Sequence, residues 1–138
     1  MGGASSAGAK AESVRNGITF DTGALIALER RSQRARSIVE RAAETKVRIT
    51  VPAAVITEWW RARTDIRAAI LAAVSVEALD AAIAKAAGEA VAMVRGATAI
   101  DAIVMASAAR RGDTVYTSDI DDLQALAGHF RSVRVLAV

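Results

Sequence analysis

Short apolar runs alternate along the chain with longer stretches in which apolar residues recur at helical spacing. The clearest example begins at residues 18–20, Ile-Thr-Phe, which lead directly into Asp21, then Thr-Gly, then a run of Ala, Leu and Ile. Runs of β-branched and aromatic residues are typical of buried strands, whereas the second run contains good helix formers. We therefore predict that Asp21 lies at the carboxyl end of a strand and directly before a helix.

The rest of the chain repeats this alternation. Ser32 and Asp80 favour helix N-termini, Pro52 favours the first turn of a helix, and Gly112 favours a helix end. The pattern predicts helices at residues 22–30, 33–46, 53–63, 65–73, 81–95, 99–111 and 121–127, and strands at residues 18–20, 47–51, 74–78, 114–117 and 133–138. Strands that alternate with helices favour a central, mainly parallel sheet with helices on both faces, which is a three-layer α/β/α domain.

The composition fits one domain of ordinary size. The 138 residues are 53% hydrophobic, which is enough to bury a core. The sequence has no cysteine and only one histidine, His129, which excludes disulfides, thiolate ligands and a His-rich zinc site. A formal net charge of +3 is compatible with a polyanionic partner but does not by itself indicate one.

Two segments bear on location and domain boundaries. The apolar stretches are all interrupted before the roughly 18 residues that a membrane span needs, which predicts a soluble, cytoplasmic protein. Residues 1–17 are rich in Gly, Ala and Ser and lack the apolar core of a signal peptide. We expect them to be a disordered tail, a mis-set start or an artificial remnant, and residues 18–138 to be the folded domain.

Four acids lie in apolar surroundings. Asp21 and Asp119 follow predicted strands, Glu58 interrupts an apolar run, and Asp101 lies in an apolar predicted helix. Open α/β sheets bind ligands at the carboxyl ends of their strands. Two carboxylates about 4 Å apart repel by roughly 4 kcal/mol at an effective dielectric constant near 20, so a cluster of four needs cations. In a chain without cysteine the cation that suits is Mg²⁺ or Mn²⁺, one ion or two, and the chemistry is attack of metal-activated water on a phosphodiester.

Each of these acids also has a purely structural interpretation. Asp21 is compatible with a helix cap. Glu58 is compatible with an ion pair to Arg61 or Arg63 on its own helix, worth about 0.3–0.5 kcal/mol when exposed. Asp101 has no basic residue one turn further along, so its structural interpretation is the weakest.

Three aspartates compete for the last position of the site. Asp119 lies nearest the end of the strand at residues 114–117, whereas Asp121 forms a capping-box pattern with Gln124. We therefore assign Asp119 to the site and interpret Asp121 and Asp122 as more structural.

Four segments of the sequence resemble the PIN-domain superfamily, and most closely the VapC-type ribonuclease toxins of bacterial toxin-antitoxin pairs. The resemblance covers residues 18–138 and rests on FDTGALIALE, VPAAVITEWWR, AIDAIVMASAARRGD and VYTSDIDDLQAL, in that order. It implies a PIN-like fold and a metal-dependent endoribonuclease. By resemblance Asp21, Glu58, Asp101 and Asp119 are the four family acids that hold Mg²⁺ or Mn²⁺, and Asp122 matches a further acid of some members. The resemblance also implies an RNA substrate of the tRNA or rRNA class, a VapB-like antitoxin that covers the active site, and a homodimer.

One position departs from the family pattern. The family often has Ser or Thr two residues after the first acid, where this chain has Gly23. Thr22 is a candidate to supply the missing hydroxyl. The departure concerns the ordering of water near the metal rather than the acids themselves.

Substrate and partner contacts form a second set of expectations. Arginines follow the first predicted helix and Glu58, where they would contact RNA phosphates or simply face solvent: Arg30, Arg31, Arg34, Arg36 and Arg61. Trp59 and Trp60 are adjacent, and adjacent helical side chains point about 100° apart. We therefore expect one tryptophan in the core and the other at a partner.

Three other classes of protein share features of this sequence. Asp21-Thr22-Gly23 is also the signature of aspartic proteases, but those are all-β proteins, unlike this Ala-rich helical pattern. A phosphoacceptor domain would require neighbouring acids or a lysine that this chain lacks. The remaining alternative is a non-catalytic PIN-like module that binds protein or RNA.

Overall fold

The computed structural model describes residues 16–138. In this part of the chain five strands form one sheet, and every pair of neighbouring strands is parallel. The strands are β1 (Ile18–Phe20), β2 (Ile49–Pro52), β3 (Ser75–Glu77), β4 (Thr114–Thr117) and β5 (Arg134–Ala137). Their order across the sheet is β3-β2-β1-β4-β5, so β1 is the central strand. The predicted parallel sheet is confirmed.

Seven helices flank this sheet within the same residues. They are α1 (Thr22–Glu29), α2 (Gln33–Thr45), α3 (Ala53–Trp59), α4 (Asp65–Ala73), α5 (Ala81–Met93), α6 (Ala99–Arg111) and α7 (Ile120–Ala127). The longest of them contain 13 residues. From residue 16 onward, none has both the length and the apolar character needed to cross a membrane.

Both faces of the central strand are covered. Successive residues of a strand point to opposite faces, and both Thr19 and Phe20 of β1 are fully buried. Helix α6 contributes Val104 and Met105 to the core and packs against β1, β2 and β4. Helices on both faces of a parallel sheet bury its strands in this way. The three-layer α/β/α architecture is therefore confirmed.

Helix ends agree with several of the predicted caps. The Ser32 hydroxyl accepts a hydrogen bond from the Ala35 N–H at 3.3 Å, and Asp80 Oδ1 accepts one from the Ile83 N–H at 2.9 Å. Gly112 ends α6 with a φ of 72°, a left-handed conformation that costs little in glycine.

The region after β2 differs from the prediction. The helix expected at residues 53–63 stops at Trp59, because Arg61 adopts a left-handed conformation with a φ of 41° and Thr64 then caps α4. Pro52 ends β2 and precedes α3 instead of lying in its first turn. Because α3 ends at Trp59, Glu58 lies in the last turn of the helix.

A polar network ties α6 to the sheet. Asp113 is 3% exposed and accepts hydrogen bonds from Thr19 Oγ1 at 2.8 Å and from Arg111 Nε at 2.9 Å. Arg111 Nη1 also lies 2.6 Å from a carboxylate oxygen of Glu77, an ion pair that is not aligned as a hydrogen bond. Burial opposes ionisation of Glu77, but the Arg111 guanidinium and the hydrogen bond from Ser107 outweigh it and lower the pKa of this carboxyl. These acids are structural, since each has a cationic partner.

Candidate active site

Asp21 lies where β1 ends and α1 begins, as predicted. Its Oδ1 accepts a hydrogen bond from the Ala24 N–H at 2.8 Å, which makes it the N-cap of α1. Its Oδ2 accepts a hydrogen bond from Thr117 Oγ1 at 2.5 Å, and the residue is 8% exposed. The cap and the site position are therefore compatible, because a cap uses only one of the two carboxylate oxygens.

The pKa of Asp21 is raised above its ordinary value. Burial is the largest cause, and the hydrogen bonds from Thr117 and Ala24 oppose it. The negative charges of Asp101 and Asp119 raise this pKa further. Asp21 therefore lies within electrostatic range of two other predicted site residues.

Asp101 lies in the first turn of α6 and is half-buried. Thr98 caps that helix, and its Oγ1 accepts a hydrogen bond from the Asp101 N–H at 3.2 Å. Burial raises the pKa of Asp101, a hydrogen bond with Thr98 partly offsets this, and the charges of Glu58 and Asp119 raise it again. Asp101, on α6, therefore lies within electrostatic range of both Glu58 on α3 and Asp119 after β4.

Glu58 is exposed near the end of α3, and its side chain is held by α1. Thr22 Oγ1 donates a hydrogen bond to Glu58 Oε1 at 2.6 Å. The ion pair considered from the sequence is not present: Arg61 Nε donates to the backbone carbonyl of Glu58, and Arg63 pairs with Asp65. The hydroxyl of Thr22 is therefore engaged with Glu58.

Asp119 follows β4 and is the N-cap of α7. Its Oδ1 accepts a hydrogen bond from the Asp122 N–H at 3.4 Å, so the helix begins at Ile120. The capping box predicted for Asp121 with Gln124 is wrong, because the carboxylate of Asp119 already satisfies the start of the helix. The hydrogen bond and charge of Asp119 raise the pKa of the exposed Asp122.

Thr117 is a site residue that the sequence reasoning missed. Its Oγ1 donates to Asp21 Oδ2 and accepts from the Asp119 N–H at 2.9 Å, so one hydroxyl connects two of the acids. Thr117 is the last residue of β4 and is fully buried. The available signal was a threonine at a strand end, two residues before an acid.

The four acids interact electrostatically but do not form a ready-made cage. Within residues 16–138 no group of three or more acidic, histidine or cysteine side chains lies close enough to ligate a single metal ion. The pKa values of Asp21 and Asp101 are nevertheless raised by neighbouring carboxylates, which lie on α3, on α6 and after β4.

Within residues 16–138, no cationic side chain forms an ion pair with this cluster. The ion pairs formed within the described part of the chain involve other acids, and Asp21, Glu58, Asp101 and Asp119 belong to none of them. Oxygen donors without a protein counter-charge suit a hard divalent cation such as Mg²⁺ or Mn²⁺. The chemistry of the donor set therefore fits a metal ion. The four carboxylates would have to move closer together to bind one.

A cavity of about 590 Å³ opens beside Glu58. Arg30, Arg61 and Arg67 line it, and Arg67 is paired with Glu29 at 3.0 Å. Arg30 and Arg61 make no ion pair with residues of the described segment. Two of the arginines expected near the acids thus face the same space as Glu58.

Other expected contacts lie elsewhere. Arg34 Nε donates to the Ala137 carbonyl at 3.0 Å and lines a larger cavity of about 800 Å³, which none of the four acids borders. Trp59 is 3% exposed and belongs to the core, whereas Trp60 is half-buried. The expectation that one tryptophan is in the core is confirmed, and a partner for Trp60 stays a prediction.

Fold and site together define a parallel α/β domain with an acid cluster where β1 and β4 end. The chain belongs to the PIN domain family, since the model of that family matches residues 18–128. The predicted membership of the PIN-domain superfamily is confirmed. PIN domains are generally metal-dependent nucleases, so the chain is of the nuclease and hydrolase type at this coarse level. A search of curated proteins found no match.

Proposed function

We propose that the chain is an endoribonuclease in which Asp21, Glu58, Asp101 and Asp119 hold Mg²⁺ or Mn²⁺. The observation that carries this proposal is that Asp101 lies within electrostatic range of Asp21, Glu58 and Asp119, and that none of the four forms an ion pair within residues 16–138. A cluster of this kind is costly without a cation, and a divalent ion would offset the repulsion. Membership of the PIN domain family supports the same chemistry.

The bound ion would activate water for attack on a phosphodiester and stabilise the departing oxygen. The side chains of this protein prepare the site for that role. Thr117 orients Asp21 and the backbone of Asp119, and Thr22 orients Glu58. Because the pKa of Asp21 is raised, protons compete with the metal for this carboxylate, and metal affinity should increase with pH.

The proposed substrate is RNA of the tRNA or rRNA class. Arg30 and Arg61 in the cavity beside Glu58 are placed to contact phosphates as the strand approaches the acids. Such contacts are independent of base sequence, so they support RNA binding without specifying a cleavage site. A cytoplasmic location, where these RNAs occur, is part of the proposal.

We further propose that the protein is the toxin of a toxin-antitoxin pair. A VapB-like antitoxin would cover the acids, and the apolar Ile26 and Ile66 in the cavity beside Glu58 would suit an apolar segment of that partner. A homodimer belongs to the same proposal. Exposed apolar side chains on and after β3 and on α5 are the best candidates for its interface: Val76, Leu79, Val91 and Met93.

Cleavage of total bacterial RNA by the purified protein tests the proposal. We expect cleavage with Mg²⁺ or Mn²⁺, none with EDTA, and none by Asp101→Asn. Asp65→Asn is the matched control, because its side chain is 97% exposed and lies outside the cluster, and it should cleave like wild type. Cleavage that persists in EDTA, or equal cleavage by Asp101→Asn, would contradict the proposal. Absence of cleavage by folded, antitoxin-free protein would favour a non-catalytic binding module instead.

Bacterial growth tests the toxin role separately. Expression of the wild type should arrest growth, whereas Asp101→Asn at the same protein level should not. Normal growth with active wild-type protein present would argue against a toxin while leaving the nuclease proposal intact.

A further inference from the structure

Gly23 is closed off by the side chain of Ser118. A Cβ atom built on Gly23 would lie 2.1 Å from Ser118 Oγ, 3.1 Å from its Cβ and 3.2 Å from its backbone nitrogen. The first of these distances is far below any tolerated contact. A side chain at position 23 and the hydroxyl of Ser118 therefore compete for the same space.

That space lies next to the acid cluster. Gly23 is in the first turn of α1, two residues after Asp21. Ser118 lies between Thr117, which donates to Asp21, and Asp119, which caps α7. The hydroxyl of Ser118 is thus placed against the start of α1, beside two of the acids.

The hydroxyl of Ser118 is also available to a bound molecule. Ser118 is exposed, and its Oγ forms no hydrogen bond with another side chain or backbone group of residues 16–138. Thr22, the other candidate for a hydroxyl here, already donates to Glu58 at 2.6 Å. Within residues 16–138 the hydroxyl of Ser118 therefore has no acceptor, unlike that of Thr22.

We propose that Ser118 is a positioning residue whose hydroxyl takes the place that a side chain at position 23 would occupy and donates a hydrogen bond to a water or phosphate oxygen bound at the acids. The inference rests on the proposed function, since it needs a ligand at the cluster. It explains why this chain has glycine at position 23: a hydroxyl already reaches that space from the neighbouring strand end.

Exchanging Gly23 and Ser118 tests whether side chains at these two positions compete for the same space. Gly23→Ser should lower the melting temperature of the metal-free protein, because its Cβ meets Ser118. Ser118→Gly removes the contacts with Oγ and Cβ and leaves the 3.2 Å contact with the backbone nitrogen, so Gly23→Ser should destabilise the Ser118→Gly protein much less than the wild type. Glycine is needed here, because an alanine Cβ would still lie about 3.1 Å from the new side chain. Equal destabilisation by Gly23→Ser in the presence and absence of Ser118 would refute the competition for space.

The hydroxyl itself is tested by Ser118→Ala. With Mn²⁺ present we expect kcat for RNA cleavage to fall about tenfold, as for the loss of one hydrogen bond to a charged group, with little change in KM. Ser118→Thr should retain most activity, and the double variant that moves the hydroxyl to position 23 should recover part of it. Ser132→Ala, another exposed serine, is the control and should match wild type.

A second readout does not depend on cleavage. The Kd for Mn²⁺, obtained from the rise of the melting temperature with Mn²⁺ concentration, should increase in Ser118→Ala and recover in the double variant. Wild-type kcat and Mn²⁺ response in Ser118→Ala would overturn the inference while leaving the nuclease proposal standing. If the wild type binds Mn²⁺ but does not cleave RNA, the proposed function fails, and the Mn²⁺ response of these variants still decides the role of Ser118.

Discussion

Replacing Asp101 with asparagine should stabilise the metal-free protein and remove most of its response to Mn²⁺. The pKa of Asp101 is raised by burial and by the charges of Glu58 and Asp119, so the ionised carboxylate destabilises the folded state. Asparagine keeps the shape of the side chain and removes the charge. The same substitution removes a proposed metal ligand, so the two effects have opposite signs with and without the ion.

The magnitude follows from Coulomb's law. Two unit charges about 6 Å apart repel by roughly 3 kcal/mol at an effective dielectric constant near 20 and by roughly 0.7 kcal/mol in bulk water. Asp101 is only half-buried and both neighbours are exposed, so the lower value is appropriate. We expect a gain of about 0.5–1 kcal/mol, or roughly 2–4 °C in melting temperature. Saturating Mn²⁺, at about 100 times its Kd, should stabilise the wild type by about 2.7 kcal/mol and Asp101→Asn by much less.

The pH dependence of stability shows whether the ionised Asp101 stabilises or destabilises the folded state. A carboxyl whose pKa is higher in the folded state holds its proton more tightly there, so stability falls as pH rises from its ordinary value of 3.8 through the raised pKa. The difference between wild type and Asp101→Asn should therefore be fully present at neutral pH and vanish in acid, where both side chains are uncharged.

Thermal melts in EDTA and in Mn²⁺, at neutral and acidic pH, provide the assay. Asp65→Asn should not change the Mn²⁺ response and should not raise the melting temperature, since its exposed side chain lies in the first turn of α4 and pairs with Arg63. A metal-free Asp101→Asn that melts well below wild type would refute the repulsion argument. A wild-type Mn²⁺ response in this variant would refute its role as a ligand.

Three further predictions concern stability and orientation. Asp113→Ala should cost about 3 kcal/mol in urea denaturation, because it leaves the partly buried Arg111 with one partner fewer, and a loss under 1 kcal/mol would contradict this. Thr22→Val should reduce RNA cleavage several-fold at nearly unchanged stability, since it releases Glu58; unchanged cleavage would show that the 2.6 Å hydrogen bond is unimportant. Gly112→Ala should cost about 1 kcal/mol through its φ of 72°, measured by thermal melts, and no loss would argue against a left-handed helix end.

Much of the fold could be predicted from local patterns. The alternation of short strands and helices indicated the parallel sheet, and the capping residues Ser32 and Asp80 located two helix starts within a residue. The strand order β3-β2-β1-β4-β5 was not predicted, because pairing joins segments far apart in the sequence. The early end of α3 was missed as well, since nothing in the local pattern requires Arg61 to adopt a positive φ.

The site was only partly accessible from sequence. Asp119, Asp121 and Asp122 each fit a helix start, and the capping-box pattern selected Asp121, whereas Asp119 is the cap in the structure. The contact between Thr22 and Glu58 joins residues 36 positions apart, and no spacing rule indicates it. Asp113 shows the complementary difficulty: it is more buried than Asp21, yet its partners make it structural. The partners of an acid, which only the three-dimensional structure shows, therefore distinguish a structural acid from a site acid better than burial does.

The most direct test of the central claim compares two Mn²⁺ titrations of the same purified protein. One follows the cleavage rate of a single RNA, and the other follows the melting temperature without RNA. If the acid cluster binds the ion that supports hydrolysis, the Mn²⁺ concentration at half-maximal cleavage should match the Kd obtained from the rise of the melting temperature with Mn²⁺. Asp101→Asn should abolish cleavage and remove most of the melting-temperature response. Cleavage in EDTA, or cleavage by Asp101→Asn with a normal Mn²⁺ dependence, would contradict the account.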